Sequence, residues 1–190
     1  MEPDYGVLDL SGVGPEILCI DTSAAGRLLF EDEPQHRQYV EFVTRSIQSG
    51  TTFVYSELLD LELAQLCIKA ARRLHEGRRA DALPAGRRLI ESTFARWNQL
   101  IAQTTSDRAT LAGGDHPLQV GSPIRAAAFY LIKEHGLESY DATHAATAIN
   151  YGAPLLTADQ DFAHIPAALL TLLTDSDQTD EFRARRRRGS

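Results

Sequence analysis

Short uninterrupted apolar runs alternate with longer stretches whose apolar residues recur every three or four positions, a pattern that predicts strands and helices in turn. Ile17–Ile20 is continuously apolar, as expected of a strand buried on both faces of a parallel sheet. It ends at Asp21, and Thr22 and Ser23 lead into an apolar stretch through Phe30 that predicts a short helix. Tyr39, Phe42, Val43 and Ile47 lie at helical spacing within residues 35–48, and Gly50 stops that helix. Thr51–Tyr55 is β-branched and aromatic, hence a second strand, and Ser56 is placed to cap a long helix from Glu57 to Leu74.

Residues 75–84 read as a basic loop containing Gly77 and Pro84, followed by a helix over Ala85–Gln103. Residues 104–123 hold a Gly113–Gly114 pair, two prolines and little periodicity, and predict a loop. Ile124–His135 predicts a helix closed by Gly136, and Ser139 is placed to cap the next, Tyr140–Tyr151, which ends at Gly152. Pro154–Thr157 and Leu169–Leu173 predict two further strands. The alternation implies an α/β fold, a mostly parallel central sheet of four or five strands with helices on both faces. On this reading residues 1–16 are an N-terminal extension and 17–175 form the domain, with an elaborated helical region at 75–123. Residues 176–190 are a polar, arginine-rich tail expected to be disordered.

The 190 residues suit one domain. No apolar run approaches the roughly 20 residues that span a bilayer. The acidic start lacks the basic and apolar regions of a signal peptide, so a cytoplasmic protein with no membrane association is expected. Cys19 and Cys67 sit in apolar segments without ligand spacing and read as small buried hydrophobes. Net charge is −7, yet the last eight residues carry five arginines and no acid, leaving a body near −12. So acidic a body is not the footprint of a protein that grips nucleic acid by charge alone: either it binds something other than nucleic acid, or its acids are there to hold metal.

In open α/β sheets ligands bind beyond the carboxyl ends of the strands. Asp21 follows the first predicted strand, and Asp159 and Asp161 follow Pro154–Thr157. Glu62 has Leu58, Leu59 and Leu66 among its helical neighbours, an apolar flank where an acid needs a partner or a cation. Glu57 and Asp60 have more polar surroundings near the helix start. Asp141 lies in the first turn of its helix, where the dipole alone accounts for an acid, and the residues leave its role open. Two carboxylates about 5 Å apart repel by roughly 3 kcal/mol at an effective dielectric of 20, so a gathered cluster calls for protonation or a divalent cation. An all-oxygen set favours magnesium or manganese, whose chemistry suits phosphodiester hydrolysis.

The four acid-bearing segments resemble the motifs of PIN-domain nucleases. Ile20–Ser23 after an apolar strand is similar to the first, Val54–Ser56 followed by Glu62 to the second, Tyr140–Ala148 to the third and Pro154–Phe162 to the fourth, in order and spacing across residues 17–175. The resemblance implies the three-layer PIN fold and a metal-dependent endoribonuclease. It assigns Asp21, Glu62, Asp141 and Asp159 to the catalytic acidic cluster holding Mg2+ or Mn2+, with Asp161 as an accessory metal ligand. Thr22, Ser23 and Thr157 would contact metal water or phosphate. Within the family the chain looks most like VapC toxins, implying an RNA substrate, a homodimer and a VapB-like antitoxin partner whose C-terminal segment lies across the site. The alternatives are an RNA-maturation nuclease without antitoxin and an inactive PIN-like binding module. An aspartyl phosphatase would need an acid where Ser23 stands.

His144 shares a helix face with Asp141 and reads as a partly buried structural histidine. Trp97, Phe94, Phe129 and Tyr130 read as core or dimer contacts. The arginines at 72, 73, 78, 79, 87 and 88 form a basic region that is solvated by default, or else guides RNA or an acidic partner. The C-terminal arginines are open to non-specific RNA binding.

Overall fold

The computed structural model describes residues 6–75, 79–109 and 123–189. Of the loops expected at 75–84 and 104–123, residues 76–78 and 110–122 lie outside the described residues, as do the side chains of Arg78 and Arg79. In chain order the elements are β1 (Val7–Asp9), β2 (Ile17–Ile20), α1 (Thr22–Leu29), α2 (His36–Gln48), β3 (Thr52–Ser56), α3 (Leu58–Leu74) and α4 (Arg79–Ala102). There follow β4 (Thr105–Ala109), α5 (Pro123–His135), α6 (Ser139–Tyr151), β5 (Leu155–Leu156), a 3-10 turn (Gln160–His164), β6 (Leu172–Thr174) and α7 (Ser176–Gly189).

The strands form one sheet in the order β1-β6-β5-β2-β3-β4, and every pairing is parallel. The continuous apolar strands follow from covering both faces. Cys19, Val54, Leu155 and Leu172 point into one core, packed with Leu131, Ala145 and Phe182. Their neighbours Leu18, Ile20, Phe53, Leu156 and Leu173 point into the opposite core, with Tyr39, Leu59 and Trp97. The chain starts the central sheet at β2, builds outward through β3 and β4, then returns to lay β5 on the other side of β2. The crevice between the carboxyl ends of β2 and β5 is thus the switch point at which such sheets bind ligands.

Two strands escape the hydrophobic pattern. β4 is the polar segment Thr-Ser-Asp-Arg-Ala, exposed except at Ala109, and only its pairing with β3 makes it a strand. β1 comes from the expected N-terminal extension and pairs with β6. Residues 79–84, expected as loop, are helical: α4 begins at Arg79, and Pro84 sits inside it and removes one ladder bond without ending the helix. Ser56 does accept the Leu58 amide at 3.1 Å, whereas Ser139 lies within α6 and makes no capping bond. Gly152, at φ 61°, closes α6 in the left-handed conformation that favours glycine.

The tail expected to be disordered is helix α7. Thr179, Phe182 and Arg186 form its buried stripe. Arg186 donates to the carbonyls of Gly6 at 3.1 Å and Leu170 at 2.8 Å, and Arg183 donates to Val7 O at 3.2 Å. The arginine run therefore clamps the edge strand β1. Both cysteines are free and buried, and no described helix is long and apolar enough to cross a membrane.

Candidate active site

Asp21 is the residue at which β2 turns into α1, and its carboxylate caps that helix by accepting the Ala24 amide at 2.8 Å. Thr157, just past β5, donates its hydroxyl to Asp21 Oδ2 at 2.6 Å, and Ser23 donates to the same carboxylate at 2.9 Å. Ser23 Oγ also accepts the Ala158 amide at 2.8 Å, and Thr157 Oγ1 accepts the Asp159 amide at 2.9 Å. These bonds lace the ends of β2 and β5 together and leave Asp21 only 2 % exposed. Burial pushes its carboxyl up to about 6, against the opposing pull of His144 and of the amide and hydroxyl donors.

Glu62 projects from α3 toward the same edge. Its Oε2 lies 2.6 Å from His144 Nε2 and accepts the Thr22 hydroxyl. Burial alone would raise Glu62, but His144 and Thr22 outweigh it and hold the carboxyl below the ordinary range. The leucine-flanked position thus has a partner, and that partner is the histidine read from the sequence as merely structural. His144 is buried on α6, in contact with both Glu62 and Thr22. Its spacing from Asp141 was a signal; its partner, 82 residues away in the chain, was invisible.

Asp141, Asp159 and Asp161 offer carboxylate oxygens that all lie within 4.8 Å of one another. Asp159 caps the 3-10 turn by accepting the Asp161 amide at 2.9 Å, which fixes the two acids side by side. Burial and the charges of Asp159, Asp21 and Glu62 push Asp141 up to about 7. Asp159 is also raised, by burial and by Asp161, with Arg185 pulling the other way. The other three sequence-nominated acids therefore bear on Asp141, and Asp161 stands beside Asp141 and Asp159 in the cluster. An all-oxygen set with this mutual repulsion fits a hard divalent cation.

The hydroxyls of Thr22, Ser23 and Thr157 are bonded to the acids themselves. Asp60 is engaged elsewhere, 2.6 Å from Arg108 of β4. Asp175, fully buried just past β6, was missed, although the strand-end rule points to it; it faces Arg27 at 3.8 Å. Trp97 is core, whereas Phe129 and Tyr130 are exposed on α5. Arg72, Arg73, Arg87 and Arg88 are exposed, and Arg73 lines a groove of about 950 Å3 that opens beside Asp159 and Asp161.

An all-parallel sheet with acids converging at its switch point is an α/β protein whose acidic cluster lies where such sheets bind ligands. The chain belongs to the PIN-domain family, whose model matches residues 18–168. Among curated proteins none matches it in sequence. Its fold is similar to that of VapBC2 from Rickettsia felis, crystallised with a DNA fragment from their promoter: 13 % identity, 84 % of this chain and 97 % of that one, TM-score 0.50. PAE2754 from Pyrobaculum aerophilum aligns at 18 % identity over 88 % of this chain and 89 % of that one, TM-score 0.49. VapC20 from Mycobacterium tuberculosis, described as a sarcin-ricin-loop-cleaving toxin, aligns at 16 % identity over 77 % and 92 %, TM-score 0.48.

Proposed function

We propose that this chain is a Mg2+- or Mn2+-dependent endoribonuclease and the toxin of a VapBC-type pair, acting in the cytoplasm as a homodimer and restrained by a VapB-like antitoxin. The observation that carries the nuclease reading is the convergence of Asp141, Asp159 and Asp161, with the charges of Asp21 and Glu62 bearing on Asp141. Membership of the PIN-domain family supports it. The toxin role rests on the motif resemblance, with the shared fold of VapBC2 as precedent.

Asp141, Asp159 and Asp161 would hold the metal, with Asp21 and Glu62 completing the negative field around it. A divalent cation, when bound, supplies positive charge to offset the phosphodiester and acidifies water for attack. Thr157 and Ser23 fix Asp21, and His144 with Thr22 fixes Glu62, so neither carboxylate has to reorganise when substrate arrives. The purified protein should cleave RNA with magnesium or manganese and stop on chelation. Asp21→Asn should stay folded and lose at least about a hundredfold in rate, a loss typical of removing one preorganised catalytic group. A variant cutting RNA as fast as the parent would mean the site is misplaced.

A further inference from the structure

We propose that Arg185, on the C-terminal helix beyond the family-matched segment, binds a backbone phosphate of single-stranded RNA in a groove leading to the carboxylate cluster. The proposal rests on the endoribonuclease reading above and adds to it the path of the substrate. The groove, of about 950 Å3, lies between α1, α3 and α7 and meets the site at Ser23, Asp159 and Asp161. Its cations are Arg27, Lys69, Arg73 and Arg185, and its remaining acids are Asp32 and Glu33.

These cations are not equivalent. Arg27 is held inward by Pro34 O at 2.6 Å, by Gln35 and by Asp175. Arg185 has a half-buried side chain and is bonded to Glu181 one helical turn back, at 3.2 Å. That bond is a partly exposed i, i+4 pair and takes one of five N–H donors, which leaves the fork able to receive phosphate oxygens. Its charge already reaches Asp159. Lys69 and Arg73 rise from α3, the other wall. Asp32 and Glu33 lie in the connection between α1 and α2 and repel phosphate there, so a strand is steered onto the α3 and α7 walls. The floor includes the half-buried ring of Phe30 and Leu66, on which a base face packs without sequence readout.

Arg185 is also held in place before any ligand arrives. Phe182 is fully buried one turn before it, and the adjacent Arg186 ties α7 to Gly6 and Leu170. The carboxylates and the guanidinium are complementary to one phosphodiester strand, the acids through a cation and Arg185 directly to anionic oxygens. An acidic peptide would use the basic half alone.

The test measures binding of a short fluorescein-labelled single-stranded RNA to the full chain in chelator by anisotropy across a salt series, and cleavage with Mg2+ in parallel. Arg185→Ala should raise Kd and KM about tenfold with kcat within about twofold, and should lower the salt slope by about 0.7, one phosphate of a single strand. Arg185→Lys should keep the salt slope and lose part of the affinity, which keeps the test decisive if the alanine variant melts early. Arg187→Ala, exposed on the same helix and outside the groove lining, should match the parent. Equal loss in the Arg185 and Arg187 variants, or parental RNA binding by Arg185→Ala, overturns the proposal. So does a glutamate-rich peptide that binds in an Arg185-dependent way when RNA binding is not Arg185-dependent. A parent that cleaves RNA with the same KM as its Arg185→Ala variant removes this proposal and leaves the nuclease reading; a parent that neither cleaves nor binds RNA removes both.

Discussion

Removing one charge from the cluster should make the metal-free protein more stable, although it destroys a residue assigned to the site. Asp141 is the acid to change, because burial and three other carboxylates push its carboxyl from an ordinary 3.8 up to about 7. A carboxyl whose folded pKa exceeds its unfolded one binds its proton more tightly in the native state, so ionising it costs stability as pH rises from 3.8 through about 7. Roughly three pKa units at 1.36 kcal/mol each give a ceiling of about 4 kcal/mol. Asp141 is only partly buried, and solvent screening reduces this to about 1–2 kcal/mol. For a chain of this size that is about 3–6 °C in Tm. Thermal melts in chelator should therefore place Asp141→Asn above the parent at about pH 8, with the gap narrowing as pH falls and closing toward pH 3.8, where Asp141 becomes protonated in the unfolded chain as well as the folded one. Comparing variant with parent at each pH cancels the titration of other groups. Magnesium or manganese should raise the parent's Tm at about pH 8 more than the variant's, since binding to the native state stabilises it. If Asp141→Asn melts at or below the parent at the higher pH, the acids do not strain one another and the case for a cation there fails.

Two further outcomes follow from the contacts of His144 and Phe182. His144→Ala strips Glu62 of its 2.6 Å partner and should cost about 2–3 kcal/mol in urea unfolding, as for a hydrogen bond to a charged group; an unchanged midpoint would show that the pair does not form. Phe182→Ala opens a cavity beneath α7 and should cost about 3–5 kcal/mol while speeding hydrogen exchange in β1 and α7. Parental stability and exchange would mean that the C-terminal residues do not pack.

By itself the amino-acid sequence determined the α/β class, the central strands and the candidate acids. Strands such as Ile17–Ile20 are covered on both faces, so nearly every residue must be apolar, and a polar residue straight after such a run is necessarily at the sheet edge. The elements it did not reveal are those whose stability lies in partners far along the chain. β4 is polar and exists through its backbone pairing with β3; β1 is three residues long and exists through β6 and the arginines of α7. The same holds at the site. Glu62 announced itself by its leucine neighbours, but that His144 and Thr22 hold it became visible only when α1, α3 and α6 were brought together. Asp141 stayed undecided in one dimension because a helix dipole explains it equally well. Only the tertiary structure sets it among Asp159, Asp161, Asp21 and Glu62, because like charges from separate elements meet there through chain folding and not through local propensity.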